Sequence, residues 1–324
     1  MNRPSRSAGE TPLVTVVTPS YNQGRFIRQT IESVLAQDYP SIEYIVMDGG
    51  STDETHSILE GYTGRVDWVS KSDAGQASAV NEGWQRGRGE ILGWVNSDDT
   101  YLGGAVRSVV AYLQSHPDVS AVYGEAYHTD ETGDTLSPYP TMPFDLDRLK
   151  QTCFICQPTV FVRRSVVERV GYLDPALQFC MDYDLWIRIG KIARFGQVED
   201  YLATSRLYPG GKTLGRRPQV YAEVLEMLYR HFGSVAPTWI YAYAKAAAGG
   251  GDPAAGWPER ARFWGRLARV FLSTSTRYNR RAPLRDLLIW RSLRPPGRRA
   301  LKKSQRVDLR SKISSKNTRK GHQR

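Results

Sequence analysis

Apolar residues fall into short β-branched runs that alternate with stretches at helical spacing. Residues 13–18 are apolar and β-branched and stop at Pro19, the pattern of a buried strand running into a loop. Phe26, Ile27, Ile31, Val34 and Leu35 then recur with a helical period, which Tyr39-Pro40 closes. A second strand over 43–47 ends in Asp48-Gly49-Gly50. Ser51 and Glu54 follow at the spacing of a capping box for the next helix. The rhythm continues with strands over 66–70, 90–96 and 119–123 and helices over 77–86 and about 104–115. Strand and helix alternating in this way predict an α/β fold, with a mostly parallel central sheet covered by helices on both faces.

Past Gly124 the rhythm breaks. Residues 130–134 read as a hairpin turn and 155–162 as another strand. Helices are expected from about Ser165 to before Gly171, over 183–190, and over 219–232 with Val220, Val224, Leu225, Leu228 and Phe232 on one face. A Gly-rich linker over 249–253 precedes helical patches near 257–272 and 284–293, and the stretch from Pro295 is too poor in large apolar residues to order itself.

Charge divides the chain at about the same place. Of the net +11, residues 235–324 carry 22 Lys+Arg against 4 Asp+Glu, whereas the preceding residues are net acidic. The expected organisation is a mildly acidic folded domain over 1–234 and a basic helical extension over 235–324 with a disordered end. Three Cys imply no disulfide framework and suit a reducing compartment. Residues 1–10 lack the apolar core of a signal peptide, and no run of eighteen apolar residues occurs. A cytoplasmic protein is expected, peripheral on the inner face of the plasma membrane if the extension binds lipid.

In parallel sheets the ligand crevice lies beyond the carboxyl ends of the strands. Polar groups stand at four such ends: Tyr21-Asn22, Asp48, Asp73 and Asp98-Asp99. Adjacent carboxylates after an apolar strand can hold Mg²⁺ or Mn²⁺ against a diphosphate, or they can simply cap the next helix. Asp48 can accept hydrogen bonds from a nucleobase edge or close a turn. Asp182 and Asp184 open a helix, where a carboxylate can serve as a general base or complement the helix dipole. Cys153 and Cys156 read as core cysteines rather than half a zinc site.

Together these segments resemble family 2 glycosyltransferases. The likeness rests on Val16-Val17-Thr18-Pro19-Ser20-Tyr21-Asn22, Val34-Leu35-Ala36-Gln37, Val46-Met47-Asp48-Gly49-Gly50-Ser51-Thr52-Asp53, Gly75-Gln76, Asn81-Glu82-Gly83, Asn96-Ser97-Asp98-Asp99 and Met181-Asp182-Tyr183-Asp184-Leu185-Trp186. It implies a single Rossmann-like domain of the nucleotide-diphospho-sugar transferase type. The implied activity is inverting transfer of a sugar from a nucleotide donor, expected to be a UDP-sugar, to an acceptor hydroxyl in polysaccharide, O-antigen or glycolipid synthesis. Pro19, Tyr21 and Asp48 take the nucleobase role in that likeness, and Asp182 the catalytic base. Asp99 takes the metal, with Asp98 beside it and near the ribose. Asn22, Asp73, Gln76, Asn81 and Lys212 complete the expected nucleotide-sugar set. A divalent cation, Mn²⁺ or Mg²⁺, is expected, and no organic cofactor.

Arginines mixed with Phe263, Trp264, Leu267 and Trp290 in the extension suit an anionic membrane surface near a carbohydrate or lipid-linked acceptor. Two rival functions fit less well. A nucleotidyltransferase would show a Gly-rich basic phosphate loop after the first strand. A non-catalytic module binding through the basic tail would leave the carboxylate set unexplained, and no nucleic-acid motif is present.

Overall fold

The computed structural model describes residues 11–249 and 256–279. The first half follows the expected alternation: β1 (Val14–Ser20), α1 (Gly24–Leu35), β2 (Ile42–Asp48), α2 (Thr55–Glu60), β3 (Asp67–Ser70), α3 (Gln76–Arg86) and β4 (Ile91–Trp94). There follow β5 (Thr100–Tyr101), α4 (Ala105–Ser115), β6 (Val119–Thr129), β7 (Thr135–Pro138), α5 (Leu146–Leu149), β8 (Phe161–Arg163), α6 (Arg164–Val170) and α7 (Met181–Gly190). The chain continues through β9 (Arg194–Arg206), α8 (Lys212–Gly215), α9 (Arg217–Phe232), α10 (Pro237–Ala247) and α11 (Trp257–Tyr278).

One sheet runs β3-β2-β1-β4-β8-β6-β9-β5, with β7 paired to β6. The pairs β3/β2, β2/β1 and β1/β4 are parallel, and so is β6/β9. β8 runs antiparallel between β4 and β6, and β5 and β7 are short antiparallel edges. Pleating divides the core in two. Val14 and Val16 of β1 pack with Ile27 and Ile31 of α1 and Val106, Val109 and Leu113 of α4. Val17 joins Val80 and Trp84 of α3 and Trp186 of α7 on the other face. The register sets Ser20 beside Asp48 and Asp48 beside Ser70, so the strand ends lie level and their loops meet at one edge.

Several local expectations change. Ser51 and Glu54 do not form a capping box: α2 starts at Thr55, whose N–H bonds Asp53 (3.0 Å), while the Ser51 hydroxyl donates to the stronger acceptor Asp48. The strand expected over 155–162 shortens to β8. Pro158 removes a ladder donor, and Gln157–Thr159 turns as a 3-10 helix, Gln157 donating to the Trp94 carbonyl (2.8 Å). The fifth strand of the expected alternation, β6, meets the parallel set only through β8. β9 and α10 were not foreseen at all.

α10 and α11 bury Ile240, Ala244, Leu267, Phe271 and Tyr278 in the same core as α7 and α9. The patch expected over 284–293, the expected disordered end and most of the linker fall outside the described residues. Among the described residues, no helix is long and apolar enough to cross a membrane.

Arg164 braces the strand that leads to the acidic pair. It is buried and donates to the carbonyls of Trp84 (2.7 Å), Gly87 (2.9 Å) and Gly89 (2.6 Å), closing the C-terminus of α3. Arg164→Ala leaves these acceptors buried without donors and is expected to cost about 3 kcal/mol in chemical denaturation. A loss under about 0.5 kcal/mol, the range of ordinary surface substitutions, would contradict this role.

Candidate active site

The loops beyond the carboxyl ends of β1 to β4 enclose a cavity of about 760 Å³, completed by α7 and by the loop after β9. Of the expected site residues it is lined by Pro19, Tyr21, Asp73, Gln76, Asp98, Asp99, Asp182 and Lys212. Residues from five separate stretches of chain therefore meet there.

Asp48, Asn22 and Asn81 do not line it. Asp48 is 2% exposed and accepts from Ser51 N (2.9 Å), the Ser51 hydroxyl and the Ser70 hydroxyl (2.6 Å). The bonds from Ser51 hold the turn that carries Gly49 and Gly50, the latter at φ +81°. Gly49 itself faces the cavity beside Tyr21 and Asp73. Asn22 adopts a positive φ of 52° and clamps the same turn, its Oδ1 accepting from Thr52 N (2.9 Å) and its own N–H bonding Ser51 Oγ (2.8 Å). Asn81 pairs with both main-chain groups of Leu173 (2.8 and 2.9 Å), tying α3 to the segment before α7. All three hold the walls in place.

Asp98 and Asp99 follow β4 in a tight turn closed by Asp99 N to Asn96 O (3.0 Å). Asp99 accepts from Arg206 N (2.9 Å) and Asn96 Nδ2 (3.2 Å), and Asp98 accepts the Tyr208 hydroxyl (3.0 Å). Burial, and then the charge of Asp98, pushes the Asp99 carboxyl well above the usual range. Burial also raises Asp98, against the hydroxyl of Tyr208 and the cations Arg206 and Lys212. Two crowded carboxylates whose charge the protein only partly balances form a hard-oxygen donor set, and a divalent cation fits it. Among the described residues no cluster of three or more His, Cys, Asp or Glu assembles, so further ligands would come from a bound phosphate or water.

Arg206 and Tyr208 were missed as individuals because their partners lie 75 to 177 residues away. Arg206 is buried and donates to Asp98 O (2.8 Å), Glu131 O (2.9 Å) and Gln29 Oε1 (2.7 Å), with its guanidinium 4.7 Å from the Phe26 ring centroid. A chain of side chains crosses the cavity floor. Lys212 Nζ donates to Gln76 (2.7 Å), Gln76 to Asn96 (2.6 Å), and Asn96 to Asp99 and Gln157 (3.0 Å).

Asp182 is the second residue of α7, a helix anchored under the sheet by Trp186 stacked on Trp94 (centroids 6.1 Å apart). Burial pushes its carboxyl up to about 6, in spite of hydrogen bonds from the helix-start amides and the positive charge of Lys212. Asp184 has a different occupation. It binds Arg188 (2.8 Å) and His231 (2.7 Å) away from the cavity, and although burial raises it, those partners hold its carboxyl below the usual range. Cys153 and Cys156 line the cavity as protonated thiols, pushed up by burial.

Residues 15–171 match the glycosyl transferase family 2 model. An uncharacterised glycosyltransferase of Rickettsia prowazekii is 26% identical over 211 residues, 63% of this chain and 66% of that protein's length. S. aureus TarS 1–349 in complex with UDP-GlcNAc has the same fold, with a TM-score of 0.56 at 18% identity over 81% of both chains. So does the mannosyltransferase PcManGT from Pyrobaculum calidifontis in complex with GDP-Man and Mn²⁺, with a TM-score of 0.56 at 20% identity over 87% of both chains.

Proposed function

Since residues 15–171 belong to glycosyl transferase family 2, we propose that this chain transfers a hexosyl or N-acetylhexosaminyl group from a nucleoside-diphosphate sugar to an acceptor hydroxyl, with inversion. The observation that carries this reading is one cavity lined both by a crowded carboxylate pair and by a separate carboxylate of raised basicity.

In this reading Pro19, Tyr21, Gly49 and Asp73 form the nucleobase end, with Asp48 and Asn22 shaping it from behind. Asp99, with Asp98, would hold Mn²⁺ or Mg²⁺, which when bound would neutralise charge on the leaving diphosphate. Arg206 and Tyr208 fix those two carboxylates, and Lys212 adds a cation at the rim. Asp182 accepts the acceptor's proton as the acceptor oxygen bonds to the anomeric carbon and the bond to the diphosphate breaks. A carboxyl poised near 6 is ionised at neutral pH yet more basic than an ordinary aspartate.

Thermal shift with UDP-glucose, UDP-GlcNAc and GDP-mannose tests the donor. At least one is expected to raise Tm with Mn²⁺ present and to do so far less in EDTA. No shift with any of them would contradict donor binding.

The division of labour proposed is chemistry within 1–234 and placement by 235–324. On α11, Arg262, Arg266 and Arg269 are exposed at one-face spacing, and Trp257 is 80% exposed. These features support peripheral contact with an anionic inner leaflet carrying a lipid-linked or carbohydrate acceptor. The full chain is expected to float with phosphatidylglycerol vesicles and not with phosphatidylcholine alone, and Arg262/Arg266/Arg269→Glu is expected to weaken flotation. Equal flotation with both lipids would remove the electrostatic argument.

A further inference from the structure

A carboxylate outside the cavity lining governs the turn from which Asp182 projects. Glu223, on α9, accepts three consecutive main-chain N–H groups: Gln178 N on Oε2 (2.8 Å), and Phe179 N (2.7 Å) and Cys180 N (2.9 Å) on Oε1. The Cys180 thiol also interacts with it. Cys180 is the N-cap residue of α7, and its own side chain makes no capping bond. The start of the helix is therefore set by a side chain 43 to 45 residues away.

The same turn is held from the opposite polarity, since Lys212 Nζ bonds the Gln178 carbonyl (3.3 Å) while reaching Gln76 (2.7 Å). Three charge-assisted hydrogen bonds on consecutive amides leave this turn little freedom. α9 is in turn secured to α7 by His231 on Asp184, and Val224 and Leu228 beside Glu223 lie in the common core.

We infer that Glu223 is a positioning residue for the proton acceptor, fixing the turn 178–180 and hence the direction in which Asp182 faces the cavity. This rests on the reading of Asp182 as the base. Besides Glu223 and Lys212, the titratable groups coupled to Asp182 are Tyr139, Cys153, Cys156, Cys180 and Tyr183. Burial keeps those thiols and phenols protonated at neutral pH, so Glu223 and Lys212 supply the charges there. Glu223 raises the Asp182 carboxyl and Lys212 lowers it.

Glu223 thus acts by geometry and by charge, and two substitutions separate them. Gln keeps the length but presents an N–H₂ to one or more of the three amides and removes the charge. Asp keeps the charge but falls one methylene short. The full chain is assayed for release of nucleotide to water from whichever of UDP-glucose, UDP-GlcNAc or GDP-mannose gives the largest thermal shift, across pH and well below each variant's Tm. For Glu223→Gln, kcat is expected to fall about tenfold with the donor KM held within about twofold, and the acidic limb to move to lower pH. For Glu223→Asp, kcat is expected to fall while the limb stays in place. A lower Tm with wild-type kcat, KM and limb in Glu223→Gln would mark a purely structural cap and overturn the inference. Release that persists in Asp182→Asn with its limb intact would instead overturn the base assignment.

Discussion

Asp182→Asn is expected to reduce sugar transfer by about 10²–10⁴-fold while leaving affinity for the nucleotide-sugar nearly unchanged. Asn has the shape of Asp and can still meet the helix-start amides, so α7 keeps its place, but it cannot take a proton. In the wild type, kcat should fall as pH drops through about 6, where Asp182 becomes protonated. That limb should vanish in the variant's residual activity. Stability should move the other way. A carboxyl whose folded-state pKa is raised binds its proton more tightly folded than unfolded, so its ionisation costs stability as pH rises through the folded value. Asp182→Asn is therefore expected to melt above the wild type at pH 8, with the difference gone below about pH 4. A variant that binds donor poorly and turns over normally would show that the carboxylate serves the donor and not the acceptor.

Asp99→Ala is expected to remove the Mn²⁺-dependent part of donor binding, at least about tenfold in Kd, or 1.4 kcal/mol. Its carboxylate is the more deeply buried of the pair and is held by Arg206 N and Asn96. The decisive measurement is nucleotide-sugar titration with and without Mn²⁺. The wild type should show a large difference between the two conditions and the variant almost none. If Asp99→Ala keeps the full metal-dependent gain, the cation is held elsewhere. Taken together the two variants separate binding from chemistry, because Asp182 and Asp99 stand on different elements of the same cavity.

Much of this site was legible along the chain, and the reason is local. A parallel strand buried on both faces writes itself as a β-branched run, and the first polar residues after it must lie at the sheet's carboxyl edge. Tyr21, Asp73 and the Asp98-Asp99 pair were found by that rule, and each lines the cavity. Gln76, Asp182 and Lys212 came from motif likeness and line it too.

β9 escaped because its apolar positions are interrupted by Gln197, Glu199, Asp200 and Thr204, and its pairing with β6 shifts register three times. Such a strand is held by partners distant in sequence, and its own pattern reads as a loop. Arg206 ends that strand and Tyr208 follows it, and of the stretch 206–213 only Lys212 was singled out. For Asp48 the residues alone left ligand and turn open, because a carboxylate after a strand looks the same whether it faces a cavity or a turn, and only the family likeness gave it the nucleobase role. In the fold Ser51 and Ser70 both donate to it, and Ser70 is brought there only by the β2/β3 register.

The residue order, through strand and helix periods, thus determined the α/β alternation and the edge at which polar groups would gather. Tertiary structure alone decided which carboxylates remain available for chemistry. Asp48 is held by Ser51 and Ser70 and Asp184 by Arg188 and His231, Asp98 and Asp99 crowd each other as burial raises both, and Glu223 holds the turn before Asp182 from another helix. Basicity and access depend on burial and on partners tens to a hundred residues away, and no local pattern encodes either.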